Sequence, residues 1–240
     1  MDTTKASFIE HLGELRKRII IIAMAVLAGS LLSYYFVEEL VDLLADPVKH
    51  IDMIFLSPPD LFLAHLKIAV IAGVVITAPI TLFQIWIFLK PGLKKTEQRY
   101  GLFAVFMGTL FFLLGVSFAF FVIIPMSIDF FLRMSTDQVQ PMFSFANYLS
   151  YCGSLIISFG IVFQLPMVII LLSQLNLVTS RTFRKHRKFF ILGVVLLSAI
   201  LTPPDIISQF LMSGPLIILY EFSILVARII ERKRKNIQAV

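Results

Sequence analysis

The sequence predicts an all-α, polytopic membrane protein with six transmembrane helices and both termini in the cytoplasm. Three observations predict it. Of the 240 residues, 58% are hydrophobic and only 15% charged, far from the balance of a globular domain. A chain of this length holds about six spans of roughly 20 residues with short connections. Finally, 18 of the 21 Lys and Arg residues fall in four clusters that alternate with long uncharged stretches. The first holds Lys5, Arg16, Lys17 and Arg18, and the second Lys90, Lys94, Lys95 and Arg99. Arg181, Arg184, Lys185, Arg187 and Lys188 form the third, and Arg228, Arg232, Lys233, Arg234 and Lys235 the fourth. Lys49, Lys67 and Arg133 lie in the intervening polar connections, which hold most of the acids. Basic residues resist translocation and stay cytoplasmic, so the alternation orients the chain. The net charge of +6 is a topological signal before it is one for nucleic acid.

The elements follow in order. Phe8, Leu12, Leu15 and Ile19 recur at helical spacing, with Glu10, Glu14 and Arg18 on an adjoining face, which predicts an amphipathic cytoplasmic helix at about 7–18. It runs into a first span at about 19–37, too long for the apolar part of a signal peptide and followed by no small-residue cleavage site. Leu40, Leu43 and Leu44 keep the helical period past Glu38 and Glu39, until Asp46-Pro47 ends it. The second span, about 68–89, carries Pro79, a kink position. The third, about 100–125, has Gly101, Gly108 and Gly115 at seven-residue intervals. The fourth, about 148–172, repeats the interval with Gly153 and Gly160 and carries Pro166. Glycines so spaced lie near one helix face and permit close packing of these two spans.

The fifth and sixth spans are short. Phe189–Pro204 has 16 residues, and Ile206–Tyr220 has 15 before Glu221, with the last helix reaching about 227. At 1.5 Å per residue, 15 or 16 residues reach roughly 23–24 Å against a hydrocarbon core of about 30 Å. Such a hairpin thins the bilayer or stops below its outer surface. Ser57-Pro58-Pro59-Asp60 and Thr202-Pro203-Pro204-Asp205 match each other; both precede helices, with proline as breaker and Asp as N-cap. Four residues do not make a repeat. Residues 1–240 therefore read as one integral membrane domain.

Several activities are excluded by what is missing. There is no Gly-x-x-x-x-Gly-Lys phosphate loop, so any transport draws on a gradient, or the chain binds without pumping. His11, His50, His65 and His186 are scattered without metal-ligand spacing. Cys152 is the single cysteine, and no nucleophile–base set is evident. No enzyme, metal or cofactor is expected. The basic clusters lack the interleaved aromatics of a nucleic-acid platform.

The acids of the basic face stand out. Glu14 and Glu97 would together suit a cationic ligand, above all arginine, whose planar fork bonds carboxylates bidentately. Simple pairing accounts for them equally: Glu14 with Arg18 one helical turn on, Glu97 with Lys94 or Arg99. Gln84, Gln164 and Glu221 lie in the membrane zone, where polar groups are costly. Gln164, beside Pro166, could reach backbone groups freed by a kink, and Glu221 could pair with Arg228. Asp205 is a helix cap or a polar contact.

The chain resembles the TatC family, the receptor subunits of the twin-arginine protein translocase, over essentially its whole length. The resemblance rests on Phe8-Ile-Glu-His-Leu-Gly-Glu-Leu-Arg-Lys-Arg18, Ala78-Pro79, Phe83-Gln-Ile-Trp-Ile-Phe-Leu-Lys-Pro-Gly-Leu93, Glu97, Phe163-Gln-Leu-Pro166, Leu201-Thr-Pro-Pro-Asp205 and Glu221. It implies a cup-shaped, six-helix protein of the cell inner membrane that binds twin-arginine signal peptides of folded cargo at its cytoplasmic face. It further implies TatA-like and TatB-like single-span partners, self-association in a larger complex, and transport driven by the proton-motive force. Glu14 and Glu97 fall on the family's signal-peptide-binding carboxylates, and Arg16 and Phe88 on neighbouring motif positions. Gln164, Asp205 and Glu221 become partner or intramembrane polar contacts; Pro47, Pro79, Pro91, Pro166, Pro203 and Pro204 become structural. Two positions depart: Gln98 follows Glu97 where some relatives carry arginine, and Gln164 stands where some carry Glu. The alternative, a small-solute secondary transporter, would show internal repeats around a midplane ionisable site, and none is found.

Overall fold

Residues 2–49, 53–54, 57–93, 98, 101–133, 143–174, 180–201 and 206–238 are described by a computed structural model. Helix α1 runs unbroken from Asp2 to Tyr35, so the amphipathic segment and the first apolar run are one rod. Phe36, at φ −108° and ψ 24°, interrupts it before α2, Val37–Ala45. Val37, Val41 and Leu44 form the buried stripe of α2, whereas Leu43 is exposed. A 3₁₀ turn at Asp46–Val48 follows. Pro47 occupies its start, where no N–H is required.

Helix α3, Pro58–Leu89, begins ten residues ahead of the apolar run. Ser57, extended at φ −150°, is the N-cap, and Asp60 stands in the first turn. This corrects the expected N-cap role of Asp60. Pro58 and Pro59 take the first positions, which need no N–H, and place the carboxylate where the helix dipole favours it. Pro79 lies inside α3, which ends in a 3₁₀ turn, Lys90–Gly92, with Pro91 near its start. Packing of α1 along α3 is the most extensive helix pairing. Its crossing is made by small residues: a Cβ on Gly73 would fall 2.5 Å from the Ser30 nitrogen, and one on Gly29 2.7 Å from the Thr77 methyl. These backbones can approach only because both positions are glycine.

Helix α4, Gly101–Phe118, passes through a π turn at Ala119–Ile123 into α5, Ile124–Arg133. The helix therefore does not end near Pro125. The wide turn, with the Ile124 N–H reaching the Ala119 carbonyl, shifts the ladder just before the residue that has no donor. Strand β2, Phe143–Ser144, pairs in parallel with β1, Met53–Ile54, in the register Met53–Phe143 and Ile54–Ser144. This two-residue ladder is the one departure from an all-α chain among the described residues.

Helix α6, Phe145–Val162, and α7, Leu165–Gln174, are separated by a turn at 163–164. Gly115 of α4 meets the Phe159 carbonyl and Phe163, and Gly160 of α6 meets Phe112, so α4 and α6 pack through glycine as the spacing predicted. Gly101 and Gly153 instead face Trp86 and Ile71 of α3. After α8, Ser180–Lys185, and α9, Arg187–Leu201, comes α10, Ile206–Gln238.

The main core gathers α2, α3, the π turn, α5 and α6 around Leu149, Leu155 and Phe159. A smaller one joins α7 to α10 through Ile169, Tyr220, Ile224 and Ala227. Tyr148 ties α6 to α2 by donating a 2.6 Å hydrogen bond to the Leu44 carbonyl. Among the described residues four helical stretches are long and apolar enough to cross a membrane: Glu10–Tyr35, Pro59–Gly92, Gly101–Arg133 and Phe145–Ser173. Their wide exposure of Leu, Ile and Phe is what a lipid solvent requires and water would penalise.

Candidate functional site

The candidate site lies where the first half of α1 meets the last turns of α3. Residues 11, 14 and 18 of α1 share a face, as do 84 and 88 of α3. Arg18 joins the two faces: it donates through Nη2 to Glu14 Oε1 and through Nη1 to Gln84 Oε1, both at 3.1 Å. Its side chain is 20% exposed and that of Glu14 30%. Arg18 Nε is buried without a partner, so the guanidinium is held by its fork alone. One turn nearer the N-terminus, His11 stacks on Phe88 with centroids 4.5 Å apart and planes 20° off parallel. The Glu14–Arg18 pair expected from sequence therefore forms, but it is part of a bridge to Gln84. Arg16 is exposed.

Glu97 lies outside the described residues, while its neighbour Gln98 does not. The Gln98 amide donates to the Lys90 carbonyl at 3.1 Å and the Leu93 carbonyl at 3.0 Å. Gln98 is thereby fastened to the end of α3. Among the described residues Glu14 Oε2 has no partner. The site can thus offer a carboxylate with one oxygen open, beside a stacked aromatic pair, in a largely basic surface. Such an arrangement accepts a donor cation with a planar, delocalised head better than a compact one.

The other polar residues are not gathered into this site. Gln164 donates to the Gly108 carbonyl of α4 at 2.8 Å, rather than to groups freed by Pro166. The turn at 163–164 carries its own bonds, Phe163 to Phe159 and Gln164 to Ile161, so the side chain is available for the neighbouring helix. Glu221 accepts from Arg187 Nη2 at 2.7 Å, across the α9–α10 seam, and not from Arg228 on its own helix. Beside that pair Phe190 stacks on Tyr220 at 3.8 Å and 12°, and Tyr220 donates to the Phe183 carbonyl at 2.9 Å. Asp205, Pro203 and Pro204 lie outside the described residues. Among the described residues no three His, Cys, Asp or Glu side chains could share a metal ion.

Sequence reasoning missed His11, the Arg18–Gln84 link and the capping role of Gln98. Helical spacing carried the signal for the first two, since 11, 14 and 18 match 84 and 88 face for face. Nothing local marked Gln98, whose acceptors are set by a loop.

Residues 10–215 match the family model described as Sec-independent protein translocase protein (TatC). The chain belongs to the TatC family. Its relatives include the Sec-independent protein translocase protein TatC of Carboxydothermus hydrogenoformans, 39% identical over 97% of both chains. Another is that of Desulforapulum autotrophicum, 37% identical over 97% of this chain and 88% of its relative. Among solved structures, a crystal structure of the twin arginine translocase receptor TatC in DDM superimposes with a TM-score of 0.83. It is 34% identical, over 90% of this chain and 99% of that one. As a TatC, this is a membrane protein of Sec-independent protein translocation.

Proposed function

We propose that this TatC chain is the receptor that captures twin-arginine signal peptides of folded cargo at the cytoplasmic face of the cell inner membrane. It does so as a single domain of six transmembrane helices, cup-shaped, with both termini cytoplasmic. Captured cargo nucleates a complex with TatA-like and TatB-like single-span subunits and further copies of the chain. Transport is then driven by the proton-motive force, without enzymatic chemistry in this subunit.

The observation that carries the reading is Glu14 at the α1–α3 junction, its carboxylate paired with Arg18 through one oxygen and open at the other, with Phe88 close by. Glu97 supplies a second carboxylate, next in sequence to Gln98, which is fastened to the same end of α3. Two carboxylates in a basic surface select a di-arginine ligand, because the surrounding like charges disfavour other cations. Arg16 helps to define that surface. Gln164 and Glu221 hold helices together, and Asp205 contributes a polar contact at the far end of the hairpin. The transporter alternative loses its midplane group, since Gln164 is engaged by a backbone carbonyl.

The test is binding of a fluorescent signal peptide with adjacent arginines, beside a lysine–lysine twin, to the protein in nanodiscs. Glu14→Ala and Glu97→Ala should each weaken the arginine peptide by about tenfold or more, roughly 1.4 kcal/mol. Equal binding of both peptides, untouched by either change, would make the pair structural and move recognition to a partner subunit.

A further inference from the structure

A lone carboxylate attracts an ammonium as well as a guanidinium, so any preference of Glu14 for arginine must come from the groups around it. On its helix face Glu14 stands between His11, three residues back, and Arg18, four residues on. Arg18 donates through Nη2 to Glu14 Oε1 and through Nη1 to Gln84 Oε1 of α3, each at 3.1 Å. A hold on two helices fixes this guanidinium beside the carboxylate. The His11 ring is fixed too, stacked on Phe88.

Glu14 Oε2 has no partner among the described residues. A cation that reaches it arrives with a stacked ring pair toward the N-terminus and, on the other side, a guanidinium already bound to the same carboxylate. The two candidate cations fare differently there. A guanidinium is planar, delocalised and weakly hydrated, so it can lie against flat groups, a second guanidinium included, while donating edge-on to the oxygen. An ammonium is a compact, strongly hydrated point charge. It must shed water next to a fixed positive charge, and it gains nothing from a flat neighbour.

We propose that Arg18 is a specificity-determining residue of this site, a resident guanidinium that a ligand arginine tolerates and a ligand lysine does not. Discrimination then comes from a repulsive element built into the site, and not only from contacts to the favoured ligand. Lys17, the next cation along the helix, is exposed and has no carboxylate partner among the described residues. Its charge is free to turn to solvent, whereas that of Arg18 is not. The proposal rests on capture of arginine by Glu14 and names the residue that sets the selectivity of that capture.

The full chain in nanodiscs would be titrated with a fluorescent signal peptide bearing adjacent arginines and with its lysine–lysine twin. Arg18→Gln should tighten the lysine twin by about tenfold and move the arginine peptide by less than about threefold, so that the preference narrows. Arg18→Lys keeps the charge and a long stem to cover the junction, but not the plane. It should leave the lysine twin weak and loosen the arginine peptide by about threefold or more. Lys17→Gln removes the same charge from the exposed neighbour and should leave both peptides within about twofold. A merely structural Arg18 would lower both peptides together in either variant, and that result would overturn the proposal. So would an equal gain of the lysine twin in Lys17→Gln, which would mean general repulsion by the basic surface. Equal binding of both peptides by the unmodified chain would remove the receptor function itself, whereas a preference that survives Arg18→Gln unchanged would remove only the role of Arg18.

Discussion

Arg18 shows how much one side chain can decide at this junction. Its fork links Glu14 to Gln84, and it does so 20% exposed, with Nε already unpaired. Replacing Gln84 with leucine would leave Nη1 without its partner as well. Stability should fall by about 1–2 kcal/mol, the cost of stranding a partly covered charged donor, visible as a lower thermal midpoint in detergent. Gln98 acts at one remove. Its two bonds fasten the residue next to Glu97 to the end of α3, so Gln98→Ala should weaken the arginine peptide about threefold to tenfold, or roughly 0.7–1.4 kcal/mol. The thermal midpoint should move little, because the Lys90 carbonyl is exposed and water can replace that bond. An unchanged affinity would show that Glu97 needs no such support.

Among the elements, the α4–α6 contact is as unforgiving as the α1–α3 crossing. A Cβ on Gly115 would sit 2.5 Å from the Phe159 carbonyl and 2.8 Å from the Phe163 Cβ, and backbone cannot swing aside. Gly115→Val should therefore destabilise by about 1–3 kcal/mol or more through overpacking, whereas Gly193→Val, with open space around it, should pass with little change. Thermal unfolding of the two variants, side by side, checks the contrast. Helix α2 is held by its buried stripe and, among the described residues, by a buried bond from the Tyr148 hydroxyl to the Leu44 carbonyl. Tyr148→Phe removes about 1 kcal/mol and should speed amide exchange in Val37–Ala45 while sparing the α1–α3 pair. Uniform exchange along the chain would show that α2 is held by its apolar stripe alone.

At the scale of the whole molecule, the long helices and the short α9 pose a mismatch. The 15 residues of α9 reach roughly 22 Å, against about 30 Å of hydrocarbon. A bilayer thinned there would cost less to disrupt, a use for the short hairpin in translocation. Inserting one helical turn after Val195 should leave peptide binding within about twofold and cut transport in membrane vesicles sharply. Full transport by the lengthened chain would sink the idea.

The helical class, the four long apolar runs and the family were legible without coordinates, because hydropathy and basic clustering act through composition, which needs no folding to read. The family motifs also marked Glu14 and Phe88, and helical spacing anticipated the Glu14–Arg18 pair. Partner choice was not legible. Gln164 took a carbonyl on α4, Glu221 took Arg187 in place of Arg228, and Gly153 packed on α3, because each depends on which helix lies alongside. The π turn that carries the chain past Pro125 and the Gly29–Gly73 crossing are likewise tertiary. A local sequence sets what a helix can offer; the rotation and depth of its neighbours decide what accepts it, and those emerge only when several weak packing preferences are satisfied together.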